Sequence, residues 1–143
     1  MTCDLFSFEK MLSDKACILV VDDVVDNVFL LQAVLEAEGY SVETAYDGAI
    51  ALHKIDKFQP DLVLLDIMMP GLNGYDVTQQ VRKNPQYSSL PIILLTAHDE
   101  YSQRPYAEIG ANDLIRKPVN FDELLNKVES FVSSESISPS NVA

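Results

Sequence analysis

Basic residues are scarce in this sequence. Ten Lys and Arg residues stand against 22 Asp and Glu residues, which gives a formal net charge of −12 over 143 residues. A chain with this charge repels nucleic-acid phosphates and anionic membrane surfaces, so we expect neither nucleic acid nor a membrane among its partners. The same charge favours a metal cation or a basic protein surface as a ligand.

Long apolar runs and a cysteine framework are also absent. No apolar stretch approaches the roughly 20 residues of a membrane-spanning helix, and the opening residues carry acids and lack the apolar core of a signal peptide. The two cysteines, Cys3 and Cys17, lack the spacing of a disulfide framework, which predicts two reduced thiols. These features together predict a cytoplasmic protein.

The sequence does contain short apolar runs that alternate with helical patterns. The runs cover residues 18–21, 62–65, 92–95 and 114–115. They are too short for helices and contain no polar alternation, which is typical of strands buried on both faces of a parallel sheet. A fifth segment, residues 41–45, alternates and is predicted to be an edge strand.

Four helical patterns lie between or after these strands. They cover residues 26–38, 48–57, 75–83 and 120–132, the last opening with a capping-box pattern. Leu30, Leu31, Val34 and Leu35 are expected to face the core from the first helix, and Val28 and Phe29 to face outward. Strands that alternate with helices predict an α/β fold whose sheet is covered on both faces.

Pro105 falls where a further helix should run before the last strand. Proline lacks a backbone N–H and disrupts a helix interior, but it suits the first helical position. We therefore expect a short helix that begins near Pro105. For the chain as a whole, we expect an N-terminal extension over residues 1–15 with a short amphipathic helix, one domain over residues 16–132, and a Ser-rich disordered tail over residues 133–143.

Polar side chains follow the predicted strands at the points where the strands end. They are Asp22, Asp23, Asp66, Thr96 and Lys117. The carboxyl ends of parallel strands meet in one crevice, so these groups are expected to converge. Carboxylate oxygens suit Mg²⁺, a lysine and a hydroxyl suit phosphoryl oxygens, and a carboxylate can attack phosphorus to form an acyl phosphate. The pattern predicts phosphoryl transfer to Asp66 with Mg²⁺ as the cofactor.

Several stretches of the sequence resemble the receiver domain of bacterial two-component response regulators. They are residues 20–23, 60–71, 74–75, 95–97 and 117–118. The resemblance extends over about residues 16–132. It implies a flavodoxin-like receiver fold, in which a doubly wound, five-stranded parallel sheet of order 2-1-3-4-5 has helices on both faces.

The resemblance also implies a role for each matching residue. Asp66 would be both the phosphoacceptor and a metal ligand, Asp23 a direct metal ligand, and Asp22 a ligand that acts mainly through water. The backbone carbonyl of Met68 would be a further metal ligand. Thr96 would supply the switch hydroxyl, and Lys117 would contact the phosphoryl group. One departure concerns the switch, because Leu114 stands where the family usually has an aromatic ring that swings inward.

Receivers of this kind dock a histidine kinase or a histidine phosphotransfer protein with their first helix. The expected docking residues are Val25, Val28, Phe29 and Pro118. Since no effector domain follows, we expect a single-domain response regulator that passes its signal by conformational change to a separate downstream protein, without enzymatic turnover. Pairing into a homodimer through the fourth and fifth helices is left open.

Three other functions were weighed against the switch. A phosphatase with an aspartate nucleophile needs a second carboxylate two residues further on, where this chain has Met68. A flavin carrier needs a phosphate-binding loop rich in glycine and hydroxyls, where this chain has the acidic residues 22–26. An adaptor that uses the same fold without phosphorylation stays open as the alternative.

Overall fold

The structure, a computed structural model, describes residues 16–97 and 105–142, with side chains described as far as residue 132. The amphipathic helix expected within residues 1–15 and the thiol expected at Cys3 lie outside the described residues. No helix in the described part of the chain is both long enough and apolar enough to cross a membrane.

Strands and helices alternate along the described residues. The strands are β1 (Cys17–Val21), β2 (Ser41–Ala45), β3 (Leu62–Asp66), β4 (Ile92–Thr96) and β5 (Asp113–Arg116). The helices are α1 (Val25–Ala37), α2 (Gly48–Phe58), α3 (Gly74–Lys83), α4 (Tyr106–Ile109) and α5 (Phe121–Val142), with a 3-10 turn at Pro85–Tyr87 after α3. All strand pairs are parallel, in the order β2-β1-β3-β4-β5, which confirms the predicted fold.

Two hydrophobic cores lie on opposite faces of this sheet. Successive strand residues alternate between them: Ile18 and Val20 of β1 join one core, and Leu19 and Val21 join the other. Helices α1 and α5 cover the first core, while α2 and α3 cover the second. This double burial explains why the central strands read as unbroken apolar runs.

The buried face of α1 differs from the predicted one. Val28 is fully buried, together with Leu31 and Leu35, whereas Leu30 is 50% exposed and Phe29 is 72% exposed. The prediction that Val28 faces outward is therefore wrong, as is the prediction that Leu30 faces the core. Apolar residues surround most of α1, so its sequence marks no single face, and contact with the sheet decides which residues are buried.

Helix α4 begins where proline predicts. Pro105 is the N-cap residue of this one-turn helix, with φ −62° and ψ 133°. The prediction of a short helix beginning near Pro105 is confirmed. The turn ends at Gly110, whose φ of 107° is unfavourable for any residue with a side chain.

Helix α5 extends to Val142, with side chains described as far as residue 132. The disordered tail expected over residues 133–143 stays a prediction. One further expectation needs correction. Cys17 is buried and is not a free thiol, so the expectation of a reduced thiol is wrong at this position. Spacing along a sequence does not show which sulfur atoms a fold brings within bonding distance.

The new assignment of α1 predicts a contrast between neighbouring residues. Val28→Ala should lower the free energy of unfolding by about 2 kcal/mol, because it removes two methyl groups from a filled core. Phe29→Ala should change it by less than about 0.5 kcal/mol, because this ring is mostly in solvent. Urea unfolding of the two variants measures the difference, and equal destabilisation would contradict the burial of α1.

Candidate functional site

The carboxyl ends of β1 and β3 bring three aspartates together. Val21 pairs with Leu65, so Asp22 and Asp66 stand next to one another at the same edge of the sheet. Each of Asp22, Asp23 and Asp66 offers a carboxylate oxygen, and these oxygens lie within 4.8 Å of one another. The acidic cluster predicted from the sequence is therefore formed by the fold.

Asp22 is held in place through both of its carboxylate oxygens. It is fully buried, and its Oδ1 accepts a hydrogen bond of 2.9 Å from the backbone N–H of Val24. Its Oδ2 accepts from Nδ2 of Asn27 at 3.2 Å and from Nζ of Lys117 at 3.1 Å. A buried carboxylate needs hydrogen-bond donors to offset the loss of water, and here the local fold supplies them and fixes the position of the carboxylate.

Lys117 links two of the three carboxylates. Its Nζ lies 3.0 Å from Oδ1 of Asp66 and 3.1 Å from Oδ2 of Asp22. Lys117 directly follows β5, and its backbone N–H extends the sheet by donating to the carbonyl oxygen of Thr96 at 2.8 Å. The fifth strand thus places one ammonium group between two buried acids.

The negative charges of the cluster outnumber this ammonium. Burial raises the pKa of Asp66 from 3.8 to about 6; the hydrogen bond from Lys117 opposes this rise, while the charges of Asp22 and Asp23 add to it. Burial lowers the pKa of Lys117, but its contacts with Asp66 and Asp22 outweigh that effect and leave the pKa above its ordinary value. The lysine stays charged, whereas ionisation of Asp66 at neutral pH costs free energy in the folded protein.

The donor set fits a divalent magnesium ion. Mg²⁺ prefers hard oxygen ligands such as carboxylates, and the three aspartates offer carboxylate oxygens that lie within 4.8 Å of one another. A dication would also relieve the charge imbalance that raises the pKa of Asp66. Asp23 is the most exposed of the three acids.

The other predicted site residues take up distinct positions. Thr96 is fully buried at the end of β4, where its hydroxyl donates to the carbonyl oxygen of Ala97 at 3.0 Å. The side chain of Met68 is 62% exposed, two residues beyond Asp66. The peptide bond between Lys117 and Pro118 is cis.

The expected docking residues do not all share one surface. Val25 and Phe29 are 59% and 72% exposed on α1. Pro118 is exposed as well, in the connection between β5 and α5. Val28 is fully buried and cannot contact a partner, so it is removed from the predicted docking set.

Gly74 allows the backbone around Asp66 to pack closely. A Cβ atom at this position would lie 2.6 Å from the carbonyl oxygen of Asp66 and 2.8 Å from Cα of Ile67. Such contacts are too short for any side chain, so glycine lets α3 begin directly against the end of β3. Gly74 therefore acts here through close packing.

Asn27 is a site residue that the sequence analysis missed. It lies in the first turn of α1, where its amide contacts Asp22. Asp22 precedes α1 and Asn27 lies in its first turn, so no helical or strand periodicity links the two residues in the sequence. Only the approach of α1 to the end of β1 shows the contact.

The fold and this site define the class of protein. The family model described as the response regulator receiver domain matches residues 18–129. The chain therefore belongs to the response regulator receiver domain family, whose members act as phosphoacceptor switches.

Individual relatives have similar sequences over most of this chain. It is 43% identical over 117 residues to the response regulator PleD of Caulobacter vibrioides, covering 81% of this chain and 26% of PleD. It is 35% identical to protein PilH of Pseudomonas aeruginosa, covering 82% of this chain and 98% of PilH. The chain thus spans about a quarter of the first relative but nearly all of the second.

Solved structures show the same architecture. A putative response regulator from Chloroflexus aurantiacus superposes with a TM-score of 0.79 at 36% identity, over 84% of this chain and 99% of that chain. The chemotaxis protein CheY4 of Vibrio cholerae superposes with a TM-score of 0.75 at 31% identity, over 82% of this chain and 99% of that one.

The charge imbalance at Asp66 predicts how stability depends on pH without metal. The pKa of this carboxyl is raised on folding, so the native state binds more protons than the unfolded state between pH 3.8 and about 6. Stability due to Asp66 is therefore lost as the pH rises through that window, by up to about 3 kcal/mol. Asp66→Asn removes this penalty, so with a chelator present it should be more stable than the wild type at pH 7.5.

Chemical unfolding of both proteins at pH 4.5 and pH 7.5 measures this effect. The difference in free energy of unfolding between Asp66→Asn and the wild type should be clearly smaller at pH 4.5, where the wild-type carboxyl is largely protonated in the folded state. The charge imbalance would be contradicted if this difference in stability did not change with pH, or if Asp66→Asn were less stable than the wild type at pH 7.5.

Proposed function

We propose that this chain accepts a phosphoryl group on Asp66 from a phosphohistidine, with Mg²⁺ bound, and signals to a protein partner by a change of shape. The donor would be a histidine kinase or a histidine phosphotransfer protein. The observation that supports this proposal best is the contact of the Lys117 ammonium with Asp66 inside a cluster of three carboxylates.

The proposed transfer forms one bond and breaks one. A carboxylate oxygen of Asp66 attacks the phosphorus of the donor, a P–O bond forms, and the P–N bond to the histidine breaks. The electron pair of that bond returns to the imidazole nitrogen, which leaves as a neutral ring once protonated. Asp66 must be ionised to attack, and its pKa of about 6 leaves it mostly ionised at neutral pH.

The side chains around Asp66 have complementary tasks in this transfer. When bound, Mg²⁺ supplies electrostatic stabilisation to the phosphoryl oxygens; Asp23, the backbone carbonyl of Met68 and, through water, Asp22 would hold it. Lys117 is already in contact with Asp66, so it can follow the charge as it moves onto the phosphoryl group.

The conformational response is proposed to start at Thr96 and Lys117. The Thr96 hydroxyl can rotate from the carbonyl oxygen of Ala97 to a phosphoryl oxygen. Leu114, on β5, has no ring to swing inward, so the response would pass through the loops and helices around the site. The short α4 lies next to this strand in the chain and is part of the surface that would change.

The surface for the phosphodonor is proposed to be the outer face of α1. Val25, Phe29 and Leu30 are all at least half exposed there, and exposed Pro118 lies in the neighbouring connection. Several exposed apolar side chains near one another favour a protein partner. Neither nucleic acid nor a membrane surface suits a chain with a net charge of −12, and we propose a cytoplasmic location.

Labelling with a small phosphodonor separates the switch from an adaptor that works without phosphorylation. With acetyl phosphate and Mg²⁺, the wild-type chain should gain one phosphoryl group, detected by intact-protein mass spectrometry. Asp66→Asn should gain none, because an amide oxygen is a poor nucleophile. Chelation of Mg²⁺ should reduce wild-type labelling at least tenfold. An unlabelled wild type would favour the adaptor.

The docking proposal makes a separate prediction. Phe29→Glu should slow phosphoryl transfer from a phosphohistidine protein at least tenfold, because it places a charge on the apolar docking face. Labelling by acetyl phosphate should be unchanged, because Phe29 does not contact the acidic cluster. The rates are measured with radiolabelled donor protein and with acetyl phosphate.

Ile50→Glu is the matched control for this experiment. Ile50 is also an exposed apolar residue, 44% exposed, but it belongs to α2 on the opposite face of the sheet. This variant should transfer at the wild-type rate with both donors. Equal loss with both donors in Phe29→Glu, or equal loss in Ile50→Glu, would reject docking through α1.

A further inference from the structure

We infer that Asn27 is a positioning residue of the metal site, which acts by holding the carboxylate of Asp22 through its amide group. The inference rests on the proposed function, because it concerns the ion that assists phosphorylation of Asp66. Its basis is the hydrogen bond of 3.2 Å from Nδ2 of Asn27 to Oδ2 of Asp22.

The same oxygen of Asp22 has a second donor whose contact is shared. Nζ of Lys117 reaches Oδ2 of Asp22 at 3.1 Å, but it also reaches Oδ1 of Asp66 at 3.0 Å. When Asp66 carries a phosphoryl group, the ammonium is drawn toward the new negative charge. Asn27 then supplies the remaining side-chain hydrogen bond to this oxygen among the described residues.

Asp22 depends on its donors because it has no contact with solvent. Its exposed fraction is 0%, and its other oxygen is already held by the backbone N–H of Val24. A buried carboxylate that loses a hydrogen-bond donor can rotate, and this change weakens its hold on a metal-bound water. The Asn27 amide therefore keeps Asp22 oriented while Lys117 changes partners.

The helix itself does not require asparagine at this position. Asn27 lies within the first turn of α1, and Val28, Leu31 and Leu35 bury this helix against the sheet. Alanine has a higher helix propensity than asparagine, by roughly 0.5 kcal/mol. Asn27→Ala is therefore expected to fold, and its effect on the metal can be measured separately from its effect on stability.

The test measures Mg²⁺ binding directly. Isothermal titration calorimetry of the metal-free chain with MgCl₂ should give a dissociation constant about tenfold higher for Asn27→Ala than for the wild type, as is usual when a partner of a metal ligand is removed. Asn27→Leu, which keeps the size of the side chain but removes the amide, should show a loss of the same order. Urea unfolding should show that both variants are folded.

A kinetic measurement tests whether the role is one of positioning. In labelling by acetyl phosphate, the Mg²⁺ concentration for the half-maximal rate should rise about tenfold in Asn27→Ala. The rate at saturating Mg²⁺ should stay within about twofold of the wild type. A merely structural defect would instead lower the fraction of protein that can be labelled and leave the half-maximal concentration unchanged.

Gln32→Ala is the matched control. Gln32 also lies on α1 and donates from its amide to a carboxylate, that of Glu36 at 3.1 Å, but this pair is exposed and outside the site. It should bind Mg²⁺ like the wild type. An affinity of Asn27→Ala within twofold of the wild type, or an equal loss in Gln32→Ala, would overturn the inference and leave the proposed function standing. A wild type that binds no Mg²⁺ would overturn both.

Discussion

The contact of one ammonium with two of three clustered carboxylates is the interaction on which the site depends. Lys117 lies within 3.1 Å of Asp22 and Asp66, yet it neutralises only one of their charges, and Asp23 adds another. The raised pKa of Asp66 expresses this deficit of positive charge. A divalent cation would remove the deficit and a phosphoryl group would restore it, so the proposed switch would respond to both through the same electrostatic balance.

The fold keeps these charges together against their repulsion. Asp22 directly follows β1, Asp23 comes one residue later, and Asp66 ends β3. Both strands are buried on both faces, so neither can move away without disrupting two cores. Gly74 adds to this rigidity, because it packs α3 onto the backbone of Asp66. The loops around the site lie outside this rigid centre, which leaves them as the elements that can respond.

Much of this arrangement could be predicted from the sequence, since it depends on local signals. Buried strands appear as apolar runs, and the polar residue after each run marks the edge where the site forms; Asp22, Asp66 and Lys117 were found in this way. Pro105 marked the start of α4 for an equally local reason. The buried face of α1 was predicted wrongly, because apolar residues surround that helix and only its contact with the sheet selects Val28 over Leu30. The contact of Asn27 with Asp22 was missed because it depends on the same packing.

Helix α1 connects the inside of the site with its outer surface. Asn27 contacts the acidic cluster, Val28 is buried in the core, and Phe29 is exposed to solvent, so three successive residues lie in three different environments. Since Val28 ties the helix to the sheet between them, a partner that displaces α1 also displaces the amide that holds Asp22. Coupling of this kind is reciprocal: if a bound partner changes the affinity for the metal, the metal changes the affinity for the partner by the same factor. The proposed donor surface and the proposed metal site would therefore be coupled through this one helix.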